Sequence, residues 1–190
     1  MEKKYELTDI KIEVFGKTLF RIKALRDIVR FDIKKGDLGG YIEKEENLDH
    51  GGDAWVYGNA RVYGDARVYG DAEVYGNAEV YGDAWVYGDA WVYGDAEVCG
   101  NAWVYGDAEV YGDAWVYGDA EVMWLTGIGS RYGTTTVFRT KDGGIGINCG
   151  CFYGTLDEFA AKAEKTHGDN KYGREYKAAI ELIKIHFGKG

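Results

Sequence analysis

Guanidinium and hydroxyl groups are concentrated in the segment GSRYGTTTVFRTK, residues 129–141. Arginine offers a planar fork of N–H donors that fits phosphate or carboxylate oxygens, and hydroxyls and backbone amides near glycines add further donors. The segment lacks the spacing of a phosphate-binding loop, so an ordinary polar hairpin is the alternative. We predict that a small anionic ligand binds to six residues here, namely Ser130, Arg131, Thr134, Thr135, Thr136 and Arg139.

Three cysteines, Cys99, Cys149 and Cys151, are the other reactive side chains. An odd number in a chain without secretory features indicates free thiols. Cys149 and Cys151 could bind zinc together with His167, but a fourth ligand is not evident. If both thiols lie on one strand they share a face, so packing in the core is the favoured interpretation. We therefore predict no metal site and no cofactor.

The elements that must position these groups include a six-residue repeat, Gly-Asp/Asn-Ala-x-Val-Tyr. The repeat fills residues 52–123 as twelve consecutive hexads. Ala and Val lie two residues apart and point to one side of an extended strand, whereas the variable residue and Tyr point to the other. Gly supplies a turn, and Asp or Asn can bond to local backbone. A short strand and a tight bend, repeated without reversal, predict a solenoid of parallel strands.

The spacing Val-Tyr-Gly-Asp-Ala-x resembles the hexapeptide repeat of left-handed β-helix proteins, in which a small residue follows an aliphatic one four positions later. In that family three hexads make one triangular coil, so the resemblance implies a mainly β protein with a left-handed parallel β-helix of about four regular coils. The wider pattern of GDLGGYI, VYGDA hexads, SRYGTTTVFRTKDG and CGCFYGTLDEF resembles phage and prophage proteins. This second resemblance implies a genomic setting but no catalytic residues.

In such a coil, residues eighteen apart stack in outward columns. Glu79 over Glu97 is the one pair of like charges in these columns, and like charges in that position are destabilising. The outward aromatic residues either cover a narrow core or form a subunit contact. We name five as interface or stacking residues, namely Trp85, Trp91, Trp103, Tyr87 and Tyr105. The β-helix resemblance favours a homotrimer.

The corner residues Asp53, Asp71, Asp89 and Asp107 form a further column. Closely spaced carboxylates could hold Ca²⁺, but an Asp that caps its own turn is the favoured interpretation.

Two flanking segments complete the predicted organisation. Residues 1–51 are an N-terminal β cap, with a hairpin at Phe15-Gly16 and a degenerate first coil that contains Ile42 and Leu48. Residues 52–124 are the β-helix. Residues 125–190 are a small ββαα module, with the strands TTTVFRT and GIGINCGCF joined at residues 141–144 and a capping box, Thr155 to Glu158, that opens a helix.

The charge distribution and the absence of apolar segments restrict the partners. The net charge is −9, but the twelve hexads carry nine Asp and five Glu against two Arg. An acidic body repels nucleic acid, so we predict no nucleic-acid partner and an anionic ligand only on the flanks. No apolar run approaches the roughly 20 residues that span a bilayer, and the charged N-terminus has no signal-peptide core. We predict no membrane partner and a cytoplasmic location, in the host bacterium if the protein is phage-encoded.

Our leading functional hypothesis is a non-catalytic binding protein. In this hypothesis an oligomer sequesters a small anionic nucleotide signal of bacterial immunity, with Arg131 and Arg139 on the phosphate and Trp or Tyr stacked on the base. The alternatives are an inhibitor that binds a host protein, a structural scaffold, or an acyltransferase, an activity common among hexapeptide-repeat proteins. The acyltransferase would need a histidine as general base, and His50 at the edge of the repeat is the only plausible one.

Overall fold

Three antiparallel strands begin the chain in the computed structural model, which describes residues 3–112, 114–117, 122–140 and 143–188. These strands are β1 (Tyr5–Val14), β2 (Lys17–Ala24) and β3 (Leu38–Ile42). The turn between β1 and β2 lies at Phe15 and Gly16, which both have positive φ. Strand β3 then pairs in parallel with a strand of the repeat, so the hairpin continues one sheet of the solenoid beyond its first coil.

Eleven short strands follow in the described part of the repeat. They are β4 (Trp55–Val56), β5 (Arg61–Val62), β6 (Arg67–Val68), β7 (Glu73–Val74), β8 (Glu79–Val80), β9 (Trp85–Val86), β10 (Trp91–Val92), β11 (Glu97–Cys99), β12 (Trp103–Val104), β13 (Glu109–Val110) and β14 (Trp115–Tyr117). They form three parallel sheets, β3-β5-β8-β11-β14, β4-β7-β10-β13 and β6-β9-β12.

Within the repeat each strand pairs with the strand that begins eighteen residues later, so three hexads make one coil. The Ala and Val side chains of the first eleven hexads point inward and are 0–1% exposed. A parallel β-solenoid of about four coils, which the hexads predict, is therefore confirmed. The left hand of the winding stays a prediction.

The first coil departs from the regular repeat. Ile42 and Leu48 are fully buried and pair with Val62 and Val68, twenty residues later rather than eighteen. The two additional residues lie between Leu48 and Val56, because Val56 pairs with Val74 at the regular interval. The segment for which the sequence predicts a degenerate coil thus contains two residues more than the regular spacing.

Backbone hydrogen bonds give the solenoid a direction. Each strand N–H donates to the carbonyl seventeen residues later, as in Trp55 to Ala72 and Trp91 to Ala108. The first coil therefore presents carbonyl oxygens that no earlier coil can satisfy, and the last coil presents N–H groups. An unpaired backbone group is costly when it is buried, so each end needs a cover of suitable chemistry.

The N-terminal segment covers the carbonyl end with side-chain donors. The buried Lys4 ammonium donates to the carbonyl oxygen of Ala54, over 2.7 Å, and the Tyr5 hydroxyl donates to that of Leu48, also over 2.7 Å. Arg26 donates to the carbonyl oxygen of Gly52 over 3.0 Å. These contacts stabilise the first coil in place of a preceding one.

The outward columns have the predicted composition. Tyr75 and Tyr93 stack with ring centroids 4.7 Å apart, and the next ring in the column, Tyr111, lies 4.8 Å beyond Tyr93. Glu79 lies directly beside Glu97, as predicted. The repulsion is offset because the Arg61 guanidinium donates to Glu79 over 2.6 Å.

Within the described residues, the corner aspartates Asp53, Asp71 and Asp89 bond to other segments and not to their own turns, which corrects the sequence interpretation. The Asp71 carboxylate accepts a 3.1 Å hydrogen bond from the backbone N–H of Asp53, one coil earlier. Arg30 also bridges Asp71 and Asp89 across two coils. Among the described residues no cluster of three or more potential metal ligands exists.

A four-stranded antiparallel sheet and two helices form the C-terminal module. They are β15 (Val122–Ile128), β16 (Gly133–Arg139), β17 (Ile145–Cys149), β18 (Phe152–Thr155), α1 (Leu156–His167) and α2 (Lys171–His186). The sheet has four strands where the sequence predicted two, because GIGINCGCF divides at Gly150, which has φ of 60°, and because residues 122–128 extend as β15. The predicted turn residues Lys141 and Asp142, and residues 118–121 of the twelfth hexad, lie outside the described residues.

The module has a core of its own. Thr155 and Glu158 form the predicted capping box at the start of α1. Val137, Ile147 and Ile183 pack between the sheet and the helices. On the other face of the sheet Phe138 packs against the solenoid core. None of the helices within the described ranges is long and apolar enough to cross a membrane.

Candidate functional site

A cleft of about 510 Å³ lies where the last regular coil meets the C-terminal module. Asp107 and Glu109 of the solenoid line one wall. Arg131, in the turn between β15 and β16, and Lys162 and His167 of α1 line the rest. The cleft therefore has carboxylates on its solenoid wall and cationic or ionisable nitrogen groups on the turn and on α1.

Four of the six residues predicted to bind an anion line this cleft. They are Ser130, Arg131, Thr134 and Thr136. Strand alternation explains the division, since Thr134 and Thr136 lie on the face of β16 opposite to Thr135. The segment selected by residue type and spacing thus lines a cleft, and its binding of an anion stays a prediction.

Thr135 and Arg139 do not line the cleft, which corrects their assignment to the site. The buried Thr135 hydroxyl donates to the Cys149 Sγ over 3.1 Å. Arg139 lies at the far end of β16, where it donates to the carbonyl oxygen of Phe187 over 2.5 Å and lies over the Phe187 ring. Arg139 therefore holds the chain just after α2, and the phosphate contact assigned to it would have to come from another cation.

Lys162 is such a cation, although its residue type and position did not single it out in the sequence. Phe159, Lys162, Ala163 and Thr166 are spaced three and four residues apart, so they share one face of α1, and all four line the cleft. The helical spacing was visible in the sequence. Which face of α1 meets the β15–β16 turn depends on the packing of α1 on the sheet, and no local signal specifies that packing.

Aromatic rings form the apolar part of the cleft. Phe159 lies 5.4 Å from Phe152 and 5.4 Å from Tyr176, measured between ring centroids, and the contact with Tyr176 is edge-to-face. Burial raises the pKa of Tyr176 to about 12, so its hydroxyl is a neutral donor at physiological pH. These rings offer a planar apolar ligand a surface close to the cationic groups.

The two cysteines of the cleft do not share a face, which corrects the sequence expectation. Cys149 ends β17 and is half-buried, with its Sγ 4.0 Å from the Tyr176 hydroxyl. Cys151 lies in the turn before β18 and is exposed. The hairpin at Gly150 separates the two thiols, since the predicted single strand does not exist.

The two carboxylates on the solenoid wall, those of Glu109 and Asp107, differ in their hydrogen bonds to the described part of the protein. Glu109 accepts a 3.3 Å hydrogen bond from the Asn148 amide, whose oxygen accepts a 3.0 Å bond from the Tyr111 hydroxyl. The Glu109 backbone N–H donates to the Thr136 hydroxyl over 3.4 Å, so the sheet covers part of the N–H end of the solenoid. Asp107 is exposed, and its carboxylate makes no hydrogen bond or ion pair within the part of the chain that the structure describes.

The five predicted interface residues lie on two different sheets. Trp85, Tyr87, Trp103 and Tyr105 follow the β6-β9-β12 sheet, where Trp85 and Trp103 stack at 5.4 Å and Tyr87 and Tyr105 at 5.2 Å. Trp91 lies on the β4-β7-β10-β13 sheet. We call the first four residues the aromatic face. It is the larger group, and its Trp103 is 53% exposed.

His50, the candidate general base, lies beside the N-terminal hairpin. Its Nδ1 accepts a 3.2 Å hydrogen bond from the Lys4 backbone N–H, which leaves the proton of the neutral ring on Nε2. Its Nε2 lies 3.7 Å from the Glu45 carboxylate, and its ring stacks on Tyr5 at 4.3 Å. Both nitrogens of His50 thus face groups of the protein itself.

The comparison with known protein families supports the β-solenoid fold. The YdcK Beta solenoid repeat family model matches residues 54–70, about one coil. No curated protein matches the chain. The match and the three parallel sheets define the class: the chain is a β-solenoid repeat protein.

Proposed function

We propose that the protein is a non-catalytic binding protein that sequesters a small anionic nucleotide in the cleft between the solenoid and the C-terminal module. One observation carries the proposal: cationic side chains from two separate elements, Arg131 and Lys162, line the same cleft as a set of hydroxyls and aromatic rings. A nucleotide has the complementary parts, a phosphate and a planar base.

The phosphate binds to the wall formed by the β15–β16 turn and α1. Arg131 supplies a fork of N–H donors, and Lys162 supplies a compact positive charge. The hydroxyls of Ser130 and Thr134 line the same cleft and add neutral donors. Both cationic side chains belong to the C-terminal flank and not to the acidic repeat. This agrees with the expectation that an anionic ligand binds on the flanks, because the acidic repeat repels it.

The base binds against the rings of Phe152, Phe159 and Tyr176. Stacking of a base on an aromatic side chain stabilises binding by about 1–3 kcal/mol. The cleft volume of about 510 Å³ lies within the range of roughly 300–1,000 Å³ that small-molecule sites occupy. In this proposal the stacking surface is in the cleft, and the aromatic face of the solenoid is left for another contact.

That other contact is between subunits, and we propose a homotrimer. Trp103 and Tyr105 are exposed in a continuous ladder, and aromatic residues are enriched in protein interfaces. The resemblance to phage and prophage proteins supports action in the cytoplasm of a bacterial host, where removal of a nucleotide signal would suppress immunity. The Nδ1 of His50 accepts a hydrogen bond from the Lys4 backbone and its Nε2 is buried beside Glu45, which gives no support to the acyltransferase alternative.

Calorimetric titration tests the proposal with nucleoside monophosphates, triphosphates and cyclic dinucleotides as probes. We expect micromolar or tighter binding of at least one nucleotide, and at least about tenfold weaker binding of it by Arg131→Ala and by Lys162→Ala. Lys165→Ala is the matched control, since Lys165 is an exposed lysine of the same helix that does not line the cleft. A wild-type protein that binds none of these probes, or equal binding by all variants, would contradict the proposal.

A further inference from the structure

The two walls of the cleft have opposite chemistry, which restricts the ligand further. Arg131 and Lys162 suit an anion, whereas Asp107 and Glu109 on the solenoid wall suit only a group that donates hydrogen bonds. A ligand that fills the cleft must therefore present phosphate to one wall and N–H donors to the other. This inference rests on the proposed function and specifies its ligand.

Of the two carboxylates, Asp107 is the one available to a ligand. Glu109 is already hydrogen-bonded to Asn148, which is 3% exposed and also bonded to Tyr111. The Asp107 carboxylate is exposed at the corner of the last regular coil and has no partner among the residues that the structure describes. Its four oxygen lone-pair positions are thus free for an incoming donor.

A carboxylate with two free oxygens pairs best with two adjacent N–H donors, as in a bidentate arginine–carboxylate pair. Among the common bases, guanine offers such a pair at its N1–H and its 2-amino group. Adenine and cytosine offer a single amino group beside an acceptor nitrogen, which an ionised carboxylate repels. We propose that the nucleotide carries guanine and that the Asp107 carboxylate accepts hydrogen bonds from its N1–H and 2-amino groups.

Titration of the full-length protein with GMP, IMP and AMP tests this assignment. IMP differs from GMP by the loss of the 2-amino group alone. Because a hydrogen bond to a charged acceptor is worth about tenfold or more in affinity, we expect GMP to bind at least about tenfold more tightly than IMP, and AMP to bind most weakly.

The variant Asp107→Asn should reduce the ratio of GMP to IMP affinity to less than about threefold. The substitution is compatible with the fold, because Asn occupies the same corner position at residues 59, 77 and 101. The matched control is Asp83→Asn at another exposed corner that does not line the cleft, and it should keep the wild-type ratio. Far-ultraviolet circular dichroism checks that both variants are folded.

The outcomes separate this inference from the proposed function. Equal affinity for GMP and IMP, an unchanged ratio in Asp107→Asn, or tighter binding of a nucleotide without guanine overturns the guanine assignment and leaves a nucleotide-binding protein. Failure of every nucleotide to bind overturns both.

Discussion

The Lys4 ammonium donates a 2.7 Å hydrogen bond to the carbonyl oxygen of Ala54, fifty residues further along the chain. Ala54 belongs to the first coil, where the carbonyl oxygens have no preceding strand. The buried lysine thus supplies the hydrogen-bond donor that a preceding strand would otherwise supply. Burial lowers the pKa of Lys4 from 10.5 to about 8, and the nearby Asp49 opposes part of that shift.

Replacement of this lysine should give a pH-dependent loss of stability. The folded-state pKa lies below the unfolded value, so the unfolded state binds more protons between about pH 8 and 10.5, and wild-type stability gains with pH there. Lys4→Met removes that gain and leaves the Ala54 carbonyl unpaired, at a cost of about 1–3 kcal/mol. Urea unfolding should show a larger difference between the two proteins at pH 9.5 than at pH 7. A difference that is constant or shrinks with pH would refute the role of Lys4.

The tyrosine columns should make the fold sensitive to strong alkali. Burial, with neighbouring carboxylates, raises the pKa of Tyr57, Tyr63 and Tyr93 well above its usual 10. A raised folded-state pKa stabilises the fold fully below pH 10, and this contribution is lost as pH rises through the folded-state value. The urea midpoint should therefore fall above about pH 10, and less steeply in Tyr93→Phe. Tyr132→Phe, at an exposed turn, should behave as wild type.

Two turn glycines form a matched pair that tests the packing of coils. Gly88 and Gly106 have φ of +74° and +65°, so an alanine at either is strained by about 1–2 kcal/mol. A Cβ at Gly88 would lie 2.9 Å from the backbone nitrogen of Gly106, whereas a Cβ at Gly106 meets nothing within 4 Å. Gly88→Ala should cost at least about 1 kcal/mol more than Gly106→Ala in urea unfolding. Equal costs would show that the coils can separate to accept a methyl group.

The two arginines of the repeat should contribute unequally to stability. Arg61 pairs with Glu79 at 2.6 Å and so offsets the repulsion between Glu79 and Glu97. Arg67 is exposed and has no ion pair among the described residues. Arg61→Ala should lower the free energy of unfolding by about 1 kcal/mol in low salt, and Arg67→Ala by less than about 0.5. Added salt should reduce the first effect, and a salt-independent loss would point to packing instead.

The aromatic face should control the oligomeric state. Trp103 belongs to this face and Trp91 lies on another sheet, although both are exposed tryptophans of the same repeat position. We expect Trp103→Lys to give a monomer in native mass spectrometry, because a buried lysine cannot be satisfied at an apolar contact. Trp91→Lys should remain oligomeric. A monomeric wild type, or an oligomer that survives Trp103→Lys, would argue against this interface.

The sequence by itself determined the features that depend on local periodicity. Alternation in each hexad places Ala and Val inside because neighbouring side chains of a strand point to opposite faces. The hairpin at Phe15-Gly16 and the capping box of Thr155 follow from equally local rules, whereas the eighteen-residue register is implied by the resemblance to hexapeptide-repeat proteins. The same reasoning selected the segment around Arg131 because a set of donors can be recognised from residue types alone.

The tertiary structure decided which of those groups meet. Arg139 is eight residues from Arg131 but lies at the far end of β16 from the turn that holds Arg131, whereas Lys162 enters the cleft from a helix thirty-one residues away. Asp71 caps the turn of an earlier coil. These outcomes depend on contacts between segments far apart in sequence, for which no residue carries a local signal. The repeat therefore specified the solenoid, and packing of the irregular module against its N–H end formed the cleft.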